Sequence, residues 1–165
     1  MRTRSGWFWL GVALVLVALD QLSKFIIVRN IEFASPVGLL PFLSLVLTYN
    51  PGAAFSFLAS ASGWQRWFFI AVALAASVLI TYLIFKHRRD AFLCLSLTLV
   101  LGGAIGNLID RVLFGAVVDF VLLHWRQYHW PAFNLADSCI TVGAVLLVWD
   151  SLRRSVVKSA DVAEK

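Results

Sequence analysis

Charged residues are scarce in this chain: Asp, Glu, Lys and Arg make up only 14% of it, while 61% is hydrophobic. A soluble domain of this size has no use for so much apolar surface, so the scarcity sets aside the ordinary globular classes and points to an integral membrane protein. Cysteine is nearly absent, and Cys94 and Cys139 both fall inside apolar stretches. Two such thiols read as small buried hydrophobes rather than as a disulfide framework or a metal site. His124 and His129 have no acidic or cysteine partner at ligand spacing and are read as interfacial bystanders. No serine–histidine, cysteine–histidine or zinc-binding spacing is present, and neither is an internal repeat or a low-complexity linker. Residues 1–165 are therefore read as a single membrane domain.

What is present is apolar sequence in long runs. Residues 67–85 and 91–109 carry no charge at all, and each is close to the roughly 20 residues that cross a bilayer as helix. The first and last runs are less clean. Residues 7–19 are apolar without exception, then Asp20, Gln21, Ser23 and Lys24 intervene before Phe25–Val28 resumes. The last run is interrupted by Asn134 and Asp137. Four spanning helices are expected, at about 7–28, 67–85, 91–111 and 133–150, with outer loops at about 29–66 and 112–132. A cleavable leader is the alternative for the N-terminus, since Arg2 and Arg4 precede an apolar core. Cleavage after Ala18, however, would put Leu16 where a small residue is wanted.

The net charge of +5 is a matter of topology rather than a nucleic-acid footprint. Arg2 and Arg4 precede helix one, Lys86, Arg88 and Arg89 fill the turn between helices two and three, and Arg153, Arg154, Lys158 and Lys165 follow helix four. Four crossings put all three segments on one side, which the positive-inside rule makes the cytoplasm. Both termini are expected there, with the two longer loops outside. In the first loop Leu43, Leu45, Leu47 and Tyr49 alternate with polar residues as a strand does, and Ala53 to Leu58 is placed to pair back across an Asn-Pro-Gly turn. A small amphipathic sheet on the outer leaflet suits this composition. The second loop mixes aromatic and polar residues, Trp125, Tyr128 and Trp130 among them, as the headgroup zone favours.

Five aspartates interrupt this apolar background: Asp20, Asp110, Asp119, Asp137 and Asp150. A charged side chain within a spanning helix costs roughly 2.5–3.5 kcal/mol even on the lenient scale. At a rise of about 1.5 Å per residue, Asp20, Lys24, Asn107, Asp110, Asn134 and Asp137 all fall in the outer third of the membrane. That is a site rather than scattered accidents. Asp150 lies at the other end beside Arg153 and Arg154, where charge pairing explains it. Asp20 and Lys24 are spaced i,i+4 in the acid-first order that suits an ion pair, so packing support is as good a reading as chemistry. Gly102 and Gly106 have the G-x-x-x-G spacing that lets another helix approach closely. Arg111 at the interface suits a lipid phosphate or simple snorkelling.

Asp119 sits in an apolar run just beyond helix three, and Asp137 at the start of helix four, where the positive helix end favours its charge and where it also suits a plain capping role. Two carboxylates about 4 Å apart at an effective dielectric near 20 repel by roughly 4 kcal/mol, about three pKa units. They would titrate as a pair sharing one proton near neutral pH. One could then take a proton from water while the other polarises a peptide carbonyl. A proton-conducting relay is the competing reading, but it needs polar residues at several depths, and helix two offers only Ser77 and Thr81. An inert scaffold would need basic partners, and neither Asp119 nor Asp137 has one within a helical turn.

Five boxes, in order, carry a resemblance to a known family: Asp20-Gln-Leu-Ser-Lys24, Asn50-Pro-Gly-Ala-Ala-Phe55, Gly102-Gly-Ala-Ile-Gly-Asn-Leu-Ile-Asp-Arg111, Val117-Val-Asp-Phe120 and Phe133-Asn-Leu-Ala-Asp-Ser138. Together they resemble the lipoprotein signal peptidases (signal peptidase II) of bacterial inner membranes, and no box departs at a position that family treats as essential. The resemblance implies four helices with an outward amphipathic β-cradle in the first outer loop. It implies an aspartic endopeptidase that cuts diacylglyceryl-modified prolipoproteins just before the lipidated cysteine, without metal or other cofactor. The family's two catalytic aspartates fall on Asp119 and Asp137. Its binding or supporting groups fall on Asp20, Lys24, Asn50, Gly52, Asn107, Asp110, Arg111 and Asn134. Membrane lipids and globomycin-like inhibitors are the other implied partners, and the active site is expected at the outer, periplasmic face.

Overall fold

In lipid every backbone polar group must be satisfied internally, so apolar runs of this length have one stable form, the α-helix. The computed structural model describes residues 4–52 and 63–163, with side chains through Ser155. It contains four helices long and apolar enough to cross a membrane. They are α1 (Gly6–Asn30), α2 (Trp64–Lys86), α3 (Ala91–Phe114) and α4 (Leu135–Ala163). The starts of α1 and α3 are fixed by side-chain caps. Ser5 Oγ accepts from Phe8 N–H at the head of α1, and Asp90 Oδ1 accepts from Leu93 N–H at the head of α3.

The helix α3 is central, packed against the other three, whereas α2 exposes most of its surface. Trp9 and Ala13 of α1, Ile80 and Ile84 of α2, and Cys94, Leu97 and Leu101 of α3 form one apolar core at the end away from the sheet. Gly102 and Gly106 serve close approach, as their spacing suggests. A Cβ on Gly102 would lie 2.9 Å from Leu16 Cβ, and one on Gly106 would lie 2.5 Å from Asp20 Oδ2. Gly103, between them, faces α4: a Cβ there would sit 2.3 Å from the backbone oxygen of Ala136. A backbone atom cannot swing aside as a side chain can. Gly103→Ala is therefore expected to push the first turn of α4 off α3 and to destabilise by about 1–3 kcal/mol, readable as a lower Tm in detergent.

Four strands make one antiparallel sheet in the order β1 (Val37–Leu40), β2 (Leu43–Asn50), β3 (Val117–Trp125) and β4 (Tyr128–His129). The strand expected over Leu43–Tyr49 is β2; the return strand expected over Ala53 to Leu58 lies outside the described residues. The sheet is not confined to the first loop. The second loop contributes β3 and β4, which sequence alternation did not reveal because Val117, Val118, Asp119 and Phe120 are all buried. A strand covered on both faces loses its two-residue period. His124 belongs to this sheet, with Nε2 2.9 Å from Ser44 Oγ.

A second core of Ile27, Leu47, Val118 and Phe120 seats the sheet on the last turns of α1. Gly115, at φ 79°, takes the left-handed conformation that stops α3 and turns the chain into β3. At the opposite end Asp150 accepts from Arg153 and Arg154, and Arg154 also reaches Asp90, tying α4 to the turn between α2 and α3.

Candidate functional site

The turn at Gly115 places Asp119 next to the last turn of α3 and the first turn of α4, so that four elements converge around it. Each element brings polar groups. From α1 come Asp20 and Lys24, from α3 Asn107, Asp110 and Arg111, from β2 Asn50, and from the head of α4 Asn134 and Asp137. Except for Asn50 and Asp137, these side chains belong to buried residues. Gly52 is also buried and lies just beyond β2.

The innermost part is an ion cluster. Lys24 Nζ lies 2.8 Å from Asp20 Oδ2 and 2.8 Å from Asp110 Oδ2, and donates to Asn107 Oδ1 at 3.1 Å. An ammonium has three protons, and all three are spent here. The spacing of Asp20 and Lys24 foretold the first contact; Asp110, 86 residues beyond Lys24 in the chain, was not foreseeable as the second.

Above the cluster, amides orient the two remaining acids. Asn134 Oδ1 accepts the N–H of Asp137 at 2.8 Å, while Asp137 Oδ2 accepts the N–H of Asn134 at 3.3 Å. This reciprocal arrangement is a capping box. Asp137 thus does cap α4, but only one of its oxygens is used in doing so; Oδ1 accepts from Asn107 Nδ2 at 2.7 Å. Because the oxygen of Asn134 faces Asp137 N–H, its NH2 is turned the other way, donating to Asp119 Oδ1 at 2.8 Å. Asn107 is oriented by the same logic, since its oxygen already faces Lys24 and Asn134. The other oxygen of Asp119 accepts from Asn50 Nδ2 at 3.1 Å, and Asn50 Oδ1 is occupied by Gly52 N–H at 3.0 Å. Asp119 and Asp137 are therefore joined through Asn134, with Asn107 against both Asn134 and Asp137.

Burial, reinforced by the negative charge of Asp137, raises the Asp119 carboxyl from its ordinary 3.8 to about 7, against the pull of the hydrogen bonds from Asn50 and Asn134. A carboxyl that holds its proton near neutrality is equipped for acid–base work.

Arg111 neither snorkels nor faces outward. It is buried, donates to Gly52 O at 2.8 Å and Asn107 O at 3.3 Å, and lies over the Phe69 ring at 5.0 Å. Burial follows from its position on the α3 face covered by α2 and by the Asn50–Gly52 turn. Sequence reasoning passed over Gln21, whose amide nitrogen meets Asp20 Oδ2, Gly106 O and Asp110 Oδ1 at 3.2, 3.1 and 2.9 Å. Its signal was its place between Asp20 and Lys24, in the polar break of a mainly apolar helix. Among the described residues no group of three or more His, Cys, Asp or Glu side chains is arranged to hold a metal ion.

Residues 12–153 match the family described as signal peptidase (SPase) II. The chain belongs to that family. It is 51% identical to the lipoprotein signal peptidase of Polynucleobacter necessarius subsp. necessarius (strain STIR1) over 97% of this chain and 98% of that one. It is 55% identical to the lipoprotein signal peptidase of Paraburkholderia phymatum over 88% of each. Among solved structures, a bacterial membrane enzyme determined by the in meso method at 2.3 Å superposes with a TM-score of 0.83 at 30% identity over 94% of each chain. A second, at 1.9 Å, gives 0.77 at 33% identity over 88% of this chain and 92% of that one. The signal peptidase II fold of four membrane-spanning helices with a small antiparallel sheet is thus shown for this multi-pass protein, and the family makes it a peptidase.

Proposed function

We propose that this signal peptidase II removes the signal peptide from diacylglyceryl-modified prolipoproteins, cutting just before the lipidated cysteine, with Asp119 and Asp137 activating the attacking water. One observation supports this most strongly: two acids from distant parts of the chain are held by the same Asn134, and one of them keeps its proton to about 7. In this reading the ionised member takes a proton from water and the protonated member donates a hydrogen bond to the scissile carbonyl, so that charge develops where a proton is already waiting. The diacylglyceryl chains would lie between helices in the outer leaflet, holding the peptide bond at the depth of the acids. The basic segments at the end opposite the sheet support cytoplasmic termini and a site on the outer face of the bacterial inner membrane. A globomycin-like cyclic peptide would inhibit by occupying the same rim.

The test is cleavage of a synthetic diacylglyceryl-modified prolipoprotein and its unlipidated twin by the purified protein, with products identified by mass. Cleavage of the lipidated peptide alone, before its cysteine and undiminished by a metal chelator, is expected. Equal cleavage of both peptides, a cut elsewhere, or activity lost to the chelator and restored by zinc would contradict the proposal.

The pH dependence has a definite sign. The rate should fall as pH rises past about 7, because the pair then loses its shared proton. Stability follows the same direction. A carboxyl raised on folding contributes fully below its ordinary 3.8, and that contribution is lost as pH climbs through about 7. The Tm should therefore drop between about pH 5 and about pH 8 in the parent protein, and drop less in Asp119→Asn.

A further inference from the structure

We propose that Asp20 and Asp110, joined by Lys24 and Gln21, are paired positioning residues, each holding the backbone N–H immediately before one of the two reacting acids. The proposal rests on the reading of Asp119 and Asp137 as that reacting pair. Asp110 Oδ2 accepts the N–H of Val118 at 3.1 Å, one residue before Asp119. Asp20 Oδ1 accepts the N–H of Ala136 at 2.9 Å, one residue before Asp137. The two acceptors lie on different helices, α1 and α3, and reach different elements, α4 and β3.

Both N–H groups end on a buried carboxylate. Ala136 is in the first turn of α4, where a backbone N–H has no partner within its own helix. Further along β3 the N–H groups of Phe120 and Val121 go to Phe133 O, but that of Val118 goes to Asp110. A buried N–H left unpaired is costly, so each carboxylate fixes its element's position rather than merely touching it.

The cluster is closed to ligands. Asp20, Lys24 and Asp110 are 1%, 3% and 1% exposed, and Lys24 has no donor to spare. Its third proton goes to Asn107 Oδ1, which turns the Asn107 amide toward Asp137. Gln21 repeats the link between the two acids without charge, bonding Asp20 Oδ2 and Asp110 Oδ1 together with Gly106 O. A Cβ at Gly106 would meet Asp20 Oδ2 at 2.5 Å, so the missing side chain is what lets the carboxylate come this close to α3. Movement of the cluster would thus change the separation of Asp119 and Asp137 without touching substrate.

Gln21→Leu is the discriminating variant, because it keeps every charge. Steady-state kinetics on the diacylglyceryl-modified prolipoprotein should show kcat reduced on the order of tenfold, with KM within about twofold of the parent. Asp110→Asn should lose on the order of a hundredfold in kcat. The alkaline limb of the Gln21→Leu rate profile should also move to lower pH. Asp119 drawn away from Asp137 loses part of the repulsion that keeps it protonated. The charged groups around Asp119 are Lys24 and Asp20 on α1, Asp110 and Arg111 on α3, and Asp137 on α4, while β2 offers neutral Thr48 and Asn50. Gln21→Leu changes none of those charges.

A KM raised about tenfold with kcat unchanged would make these residues substrate contacts and overturn the proposal. So would parent-like kinetics and an unmoved alkaline limb in folded Gln21→Leu. If Asp110→Asn does not fold, Gln21→Leu decides alone. Asp119→Asn in the same assay separates the two levels. Full turnover there removes the reading of the acid pair and this proposal with it, whereas its loss beside a parent-like Gln21→Leu overturns this proposal only.

Discussion

Asp137→Asn is expected to lower the turnover of a lipidated prolipoprotein by roughly 10²–10⁴-fold while the protein still folds, and Asp119→Asn should behave alike. The fold survives because an amide fills the same volume and keeps one acceptor. In Asp137→Asn the remaining oxygen still meets Asn107 Nδ2, and only the weaker 3.3 Å contact with Asn134 N–H is lost. In Asp119→Asn one of the two amides from Asn134 and Asn50 loses its acceptor. Each change is small beside the chemical one, since an amide can neither take a proton from water nor hand one to a carbonyl. Product formation followed by mass spectrometry, with Tm recorded on the same samples, separates lost chemistry from lost fold. Normal turnover by Asp137→Asn would remove it from the reaction.

Lys24→Met should produce the largest loss of stability of any single change at the site. It leaves the Asp20 and Asp110 carboxyls buried without the ammonium that lies 2.8 Å from each. Removing one partner from a buried ion cluster costs about 3–5 kcal/mol, because the remaining charges stay desolvated. For a chain of this size that is a fall in Tm on the order of 10 °C. Arg154→Ala provides the contrast. It also removes a cation from two carboxylates, Asp90 and Asp150, but its side chain is half exposed and water screens what remains. A Tm loss in Arg154→Ala as large as that in Lys24→Met would show that burial is not what makes the inner cluster matter.

The helices were legible because the chemistry that sets them is local: an uncharged run of membrane length has one stable form. The pairing of Asp20 with Lys24 was legible for the same reason, as both lie on one face of one helix. Asp150 with Arg153 and Arg154 followed that rule too. What the sequence hid depends on distance along the chain. Asp110 meets Lys24, Asn50 meets Asp119 across 69 residues, and Arg154 meets Asp90 across 64, and no period or spacing encodes such contacts. The family boxes drew most of these residues into one group without saying which touches which. Strand β3 was hidden by burial on both faces, which erased its alternation. Arg111 misled because a cation near the end of a spanning helix usually reaches for water, whereas here Gly52, Asn107 and Phe69 enclose it. Gln21 was overlooked because an uncharged residue beside an aspartate looks incidental until its three acceptors are seen.

If Asp119 and Asp137 act as one unit on one water, removing the second after the first has nothing left to remove. The decisive measurement is therefore the cleavage rate of a diacylglyceryl-modified prolipoprotein by Asp119→Asn, Asp137→Asn and the double variant, side by side. The double variant should be no slower than either single one, within about threefold. Penalties that multiply, or a single variant that cleaves at the parent rate, would show that the two acids do not share one reaction.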